Sequence, residues 1–233
     1  MTKAAKITIS EDGPYLVEGG LPLANQHIVT NAAGESLDWR EGKKFPTTER
    51  YALCRCGQSG NKPFCDGTHK RVGFDGTETA SREPFERQAK RFEGPTMILE
   101  DAEPLCAFGR FCDPHGQIWN LVEKTDQPGP RKLFEAEGAH CPGGRLVVKD
   151  RESGKAAEPH FHPSIGLVQD TARAVSGPLM VRGGIPVVSA DGTAYEVRNR
   201  VTLCRCGVSR NKPFCDGSHA SAGFKDGHLE AAP

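Results

Sequence analysis

Two stretches of this chain each bring three cysteines and one histidine within sixteen residues. Cys54, Cys56, Cys65 and His69 stand at the spacing C-x-C-x8-C-x3-H, and Cys204, Cys206, Cys215 and His219 repeat it. Thiolate sulfur suits Zn(II), Cu(I) and iron–sulfur clusters, and imidazole is a common companion ligand. A Cys3His set can close a tetrahedral structural zinc site. It can equally give two ligands to each iron of a [2Fe–2S] cluster. In that case Cys54 and Cys56, on one extended strand, reach one iron, and Cys65 and His69, across a turn, reach the other. Spacing alone leaves zinc and iron–sulfur open, with a catalytic cysteine as a third reading. A chance cluster would not recur in register, so the doubling marks a built site.

The elements that must position these ligands read as β. Leu16 to Leu23 holds two apolar runs around Gly19-Gly20, matched by Met180 to Val187 around Gly183-Gly184. Such runs predict short strands joined by a turn. Ala190-Asp191-Gly192-Thr193 is a hairpin signal, and Tyr195 to Leu203 alternates into Cys204. Asp66 and Asp216 are predicted to cap short helices that carry the histidines, and Gly73 and Gly223 to end them. Arg55 and Arg205, between ligands on a strand, must point away from the sulfurs and are expected in surface ion pairs. Lys62 and Lys212 are expected as solvated loop charges.

The repeat extends over Gly13–Leu23 and Gly177–Val187, so two similar units (residues 1–93 and 175–233) flank a distinct segment, 94–174. In that segment Pro104–Phe111, Ile118–Lys124 and Arg131–Glu137 read as short helices and Leu146–Lys149 as a strand. The first unit has extra residues around Asn25 to Phe45.

The filler between the ligands goes further than the ligands themselves. Ser59, Pro63 and Asp66-Gly67-Thr68, with Ser209, Pro213 and Asp216-Gly217-Ser218, complete C-x-C-x2-S-x3-P-x-C-D-G-[ST]-H twice. The chain thereby resembles the CDGSH iron–sulfur domain family, to which mitoNEET belongs. The resemblance implies a redox-active [2Fe–2S] cluster in each repeat, with Cys54 and Cys56 on the inner iron and Cys65 and His69 on the outer one. Cys204, Cys206, Cys215 and His219 take the same roles. It implies a β-rich α+β fold in which the two units form an intramolecular pseudo-dimer with a small β-sandwich, and hence a monomer. Three thiolates and a neutral imidazole leave an oxidised +2 core at −1 rather than −2, which favours a higher potential. The single histidine also implies acid-labile clusters below about pH 6, near its unperturbed pKa.

Cys106, Cys112 and Cys141 lie in the middle segment. Cys106-Ala107-Phe108-Gly109-Arg110-Phe111-Cys112 and Cys141-Pro142 resemble a divergent single-cluster ferredoxin whose central cysteine is replaced by Gly109. The resemblance implies a small ferredoxin-like α+β insert and a third cluster, [3Fe–4S] or [4Fe–4S], on these three thiols. The alternative is an insert with buried free cysteines. His160 and His162 form an H-x-H pair with no third ligand in view, and His27, His115, His140 and His228 are isolated.

Composition sets the remaining bounds. The 233 residues carry 30 basic and 30 acidic side chains, with no basic stripe to suit nucleic acid. Only 36% are hydrophobic, and glycine and proline number 27 and 17, so each unit has a thin core of the kind a metal centre often staples. No run approaches the ~20 apolar residues of a spanning helix, the start is too polar for a secretion signal, and a cytoplasmic location is expected. Nine cysteines, several closely spaced, read there as metal ligands rather than disulfides. No Ser/His/Asp set, phosphate loop or dinucleotide fingerprint is present, so no enzyme activity is expected. The leading expectation is electron transfer with a redox partner. Cluster delivery to an apo-acceptor or redox sensing comes next, and a structural zinc protein after that.

Overall fold

The computed structural model describes residues 4–229. In chain order the strands and helices are β1 (Lys6–Ile9), β2 (Tyr15–Glu18), β3 (Leu23–Thr30), β4 (Ser36–Phe45), β5 (Arg50–Leu53), α1 (Thr68–Arg71), α2 (Phe85–Gln88), β6 (Lys90–Glu93), β7 (Met97–Asp101), α3 (Ile118–Leu121), α4 (Pro128–His140), β8 (Leu146–Asp150), β9 (Ser164–Asp170), β10 (Val175–Arg182), β11 (Val187–Val188), β12 (Arg200–Leu203) and α5 (Ser218–Ser221). The fold is β-rich, with mixed sheets and few helices.

Two sheets carry the repeats, in the orders β11-β1-β2-β5 and β12-β10-β9-β3-β4. Within each unit a hairpin pairs antiparallel, β1 with β2 and β9 with β10. Gly19-Gly20 does not close a further hairpin, as the apolar runs suggest. With φ of 90° and 62°, conformations open to glycine, it sends β3 away to pair parallel with β9. Gly183-Gly184 sends β11 across in the same way, to pair parallel with β1. Each unit therefore lends one strand to the other unit's sheet. β9 falls in this sheet system, although its residues lie in the segment read from sequence as the middle one.

One core lies under both sheets. Ile7, Ile9, Tyr15, Val17, Leu53, Ile165, Leu167, Leu179, Val181 and Leu203 are all buried in a single cluster. The alternation of β1 and β2, with Ile7, Ile9, Tyr15 and Val17 facing in, is the two-residue period of a half-buried strand. Burying each such aliphatic side chain contributes about 1.5–3 kcal/mol, and neither short sheet could assemble that core alone.

The third sheet, β6-β7-β8, takes β7 and β8 from the middle segment and β6 from the end of the stretch read as the first unit. Met97, Leu99, Leu146 and Val148 pack there against Ile118 and Leu121 of α3 and Phe134 of α4. The stretch expected as a helix from Pro104 to Phe111 is helical only as a 3-10 turn at Glu103–Leu105. Beyond it Phe108 and Arg110 take left-handed backbone conformations (φ 56° and 61°), which no helix tolerates. The extra residues of the first unit are the β3–β4 hairpin.

Candidate metal centres

Each Cys3His segment is one compact loop that the motif residues close on themselves. β5 ends at Leu53, and the Cys54 amide donates to the Pro63 carbonyl at 2.8 Å while the Cys65 amide returns to Ala52 at 2.9 Å. Ser59 Oγ donates to the Phe64 carbonyl at 2.7 Å and accepts from the Asn61 amide at 3.0 Å. Asp66 accepts from the Gly60 amide at 2.8 Å and the Thr68 amide at 3.0 Å. The second copy repeats this with Cys204 to Pro213, Cys215 to Thr202, Ser209 to Phe214, and Asp216 with Arg210 and Ser218. The filler residues thus build the loop, and the ligands ride on it. Hydrogen bonds from Thr68 and Gly60 hold the Asp66 carboxyl well below the usual carboxylate range. The helix cap differs from the sequence expectation: Gly67 at φ 85° and Gly217 at φ 84° are the N-cap residues of α1 and α5, with no side-chain cap, and Asp66 and Asp216 one residue earlier accept from the Thr68 and Ser218 amides instead.

The ligands come together as two pairs per site. Cys54 and Cys56 sulfurs are 3.7 Å apart, and Cys65 Sγ lies 3.4 Å from His69 Nδ1. The second site gives 3.6 Å and 3.4 Å for Cys204–Cys206 and Cys215–His219. A tetrahedral metal with bonds of about 2.3 Å to sulfur and 2.0 Å to nitrogen spaces two sulfurs about 3.8 Å apart and a sulfur and nitrogen about 3.5 Å apart. Each pair therefore matches one edge of a tetrahedral metal site. Among the described residues, no three histidine, cysteine or carboxylate side chains converge on a single ion. The donor set fits a soft metal. The Gly67 and Gly217 amides each donate to the neighbouring cysteine sulfur at 3.4 Å.

Burial differs between the two sites. Cys215 and His219 are 2% and 4% exposed, whereas their counterparts Cys65 and His69 are half-buried. The middle segment makes this difference. A side chain on Gly217 would meet Phe108 at 3.2 Å and the Cys106 carbonyl at 3.5 Å, and Asn211 donates to the Pro104 carbonyl at 2.8 Å. Burial, reinforced by the Arg205 charge, lowers His219 to about 4. Burial drives the Cys215 thiol well up. In the Cys204–Cys206 pair a shared hydrogen bond pulls Cys204 down to about 6 and pushes Cys206 up. One thiolate thus forms readily there and the second proton is held.

Arg55 and Arg205 correct the expectation of surface ion pairs. They are 2% and 3% exposed. Arg205 pairs with the buried Asp226 and donates to the Gly177 and Val168 carbonyls. Arg55 donates to the Gly76 and Ser10 carbonyls. Both do point away from the sulfurs, but into the protein, where they tie each ligand loop to its sheet. Sequence reading also missed Tyr15, whose hydroxyl crosses from the first unit to donate to the Cys204 and Pro213 carbonyls at 2.8 and 3.1 Å. Only its apolar strand position was visible in the sequence. Lys62 is half-buried and donates to the Ser59 carbonyl at 2.7 Å.

The two sites touch. A methyl group on Gly57 would lie 2.5 Å from the Cys206 carbonyl oxygen, and one on Gly207 would lie 2.5 Å from that of Cys56. Flanking segments brace the loops reciprocally. Thr79 and Ala80 amides donate to the Lys212 carbonyl, and His228 Nε2 bonds the Lys62 carbonyl at 2.8 Å.

Cys106, Cys112 and Cys141 all line one small cavity, with Arg110 and Arg145. Burial pushes the Cys112 thiol up to about 12 and raises Cys141 as well. The remaining histidines have other partners: His115 sits 3.2 Å from Glu137 and His140 3.5 Å from Asp38. His27 is buried in β3. His160 and His162 stack edge-on at 5.2 Å beside Arg182, on a surface cavity without a third ligand among the described residues.

Comparison with known protein families matches the iron-binding zinc finger of CDGSH type to residues 12–70 and 176–220. Comparison with curated proteins and with solved structures returned no match. Among the described residues no helix is long and apolar enough to cross a membrane.

Proposed function

We propose, from the premise that this chain is a tandem CDGSH-type member of an iron–sulfur-binding family, that it binds two [2Fe–2S] clusters and transfers electrons through them. Cys54 and Cys56 would hold one iron and Cys65 and His69 the other, with Cys204, Cys206, Cys215 and His219 in the same roles. Bound there, the cluster supplies one-electron redox chemistry. The observation that carries this reading is the pairwise donor geometry. Each site offers two donor pairs at tetrahedral-edge spacing, one pair for each iron of a two-iron cluster.

The chain's own residues do the rest. Gly67 and Gly217 amides donate to ligand sulfurs, which favours the reduced state. Gly57 and Gly207 let the two C-x-C loops abut, so electrons can pass between the halves. Cys65 and His69 present the more open edge to a redox partner. The exchange of β3 and β11 between sheets supports an intramolecular pseudo-dimer that acts as a monomer, in three parts near 1–93, 94–174 and 175–233. No acid–base catalysis is required, and no enzyme activity is proposed. Visible absorbance that bleaches on reduction and returns on reoxidation, in a monomer by sedimentation, tests the reading. A colourless protein would overturn it.

Cluster delivery to an apo-acceptor is the second reading, favoured by the half-buried Cys65–His69 edge. Replacing both His69 and His219 by Cys should abolish transfer to an apo-ferredoxin while preserving reversible reduction. Transfer at an unchanged rate would count against it.

A further inference from the structure

Cys106 and Cys112 bracket a loop and Cys141 closes α4, yet the three thiols line a single cavity. All three are free, and Cys141 is buried. The cavity they line is small and lies between the loop and the end of α4. The left-handed turns at Phe108 and Arg110 bend the chain so that both loop cysteines reach the same space. Three soft donors around one cavity select a thiophilic metal. In a polynuclear centre each of the three thiols would ligate a different metal.

The ligand count is also fixed by packing. A side chain at Gly109, midway along the loop, would meet Pro142 at 2.9 Å. The loop's midpoint therefore offers no fourth donor. We propose that Cys106, Cys112 and Cys141 hold a third iron–sulfur centre, of the three-iron [3Fe–4S] class, set against the second Cys3His site. The second unit grips this cavity directly. Arg200 of β12 donates to the Cys141 carbonyl at 2.7 Å, and Gly143 packs against Thr202. The Cys106 carbonyl lies over Gly217. A centre here would therefore exchange electrons with the covered second site before the open first one.

The test is electron paramagnetic resonance of the oxidised full chain after anaerobic reconstitution with ferrous iron and sulfide. An oxidised [2Fe–2S] core is diamagnetic, whereas an oxidised [3Fe–4S] core carries an unpaired electron. The wild type should show about one spin and about seven irons per chain. The triple variant Cys106→Ser, Cys112→Ser, Cys141→Ser should lose the spin and keep about four irons with the visible colour of the Cys3His sites. Cys112→Ala, at a partly exposed position, should lose the spin too if the triple variant does not fold. An oxidised wild type without a spin signal, a signal that survives in these variants, or zinc in this site would overturn the proposal. A triple variant without visible colour or iron, beside a wild type that keeps the spin with about three irons, would instead contradict the two-iron reading of the Cys3His sites and leave this proposal standing.

Discussion

Asp226 shows how a residue outside the motif comes to hold it. Burial alone would raise its carboxyl, but the Arg205 guanidinium beside it outweighs burial and holds it at about 2. An ordinary aspartate titrates near 3.9. Stability drawn from the pair is therefore complete above about pH 4 and lost as pH falls through about 2. Replacing Asp226 by Asn should cost about 3–5 kcal/mol by leaving the Arg205 charge buried and unpaired, as read by denaturant unfolding. The wild-type advantage should be flat from about pH 5 to 7 and shrink below about pH 4. Arg205 itself was legible only in part: strand alternation directs it away from the sulfurs, but that direction leads into the protein. Nothing in the local sequence names Asp226 as its partner, because the contact depends on how the C-terminal segment folds back.

At the scale of elements, the motif loop was legible because each filler residue makes a local bond. Ser59 to Phe64 and Asp66 to Gly60 and Thr68 all span six residues or fewer. The strand exchange was not legible. A Gly-Gly pair between apolar runs signals a turn, and whether the next strand returns or crosses is decided by the partner sheet's open edge. The contact of the two loops at Gly57 and Gly207 tests that arrangement. Gly57→Ala faces a carbonyl of the other unit and a φ of 76°, whereas Gly73→Ala faces open space at φ 60°. The latter should cost only the left-handed strain, about 1–2 kcal/mol. Gly57→Ala should cost more and lower iron content at both sites, because the displaced backbone carries Cys206. Equal effects of the two substitutions on unfolding temperature and iron content would contradict the contact.

Across the whole molecule, two similar sites end up unlike. The duplication was plain in the sequence, and so was the distinct middle segment. That the segment covers the Cys215–His219 edge and leaves the Cys65–His69 edge more open came only with the fold, since it depends on Phe108 and Cys106 lying over Gly217. The asymmetry has a kinetic consequence. Protons and water reach the Cys65–His69 edge more easily than the buried Cys215–His219 edge. In the variant lacking Cys106, Cys112 and Cys141, acid bleaching of the visible absorbance should therefore run in two phases of equal size. His69→Cys should remove the fast phase and His219→Cys the slow one. A single phase, or the opposite assignment, would mean that the middle segment gives no protection.

The most direct test of the two-iron reading is the metal and sulfide content of freshly isolated protein lacking Cys106, Cys112 and Cys141. Sites built as two tetrahedral pairs predict about four irons and about four acid-labile sulfides per chain, with no stoichiometric zinc. About two zincs per chain and no sulfide would contradict it.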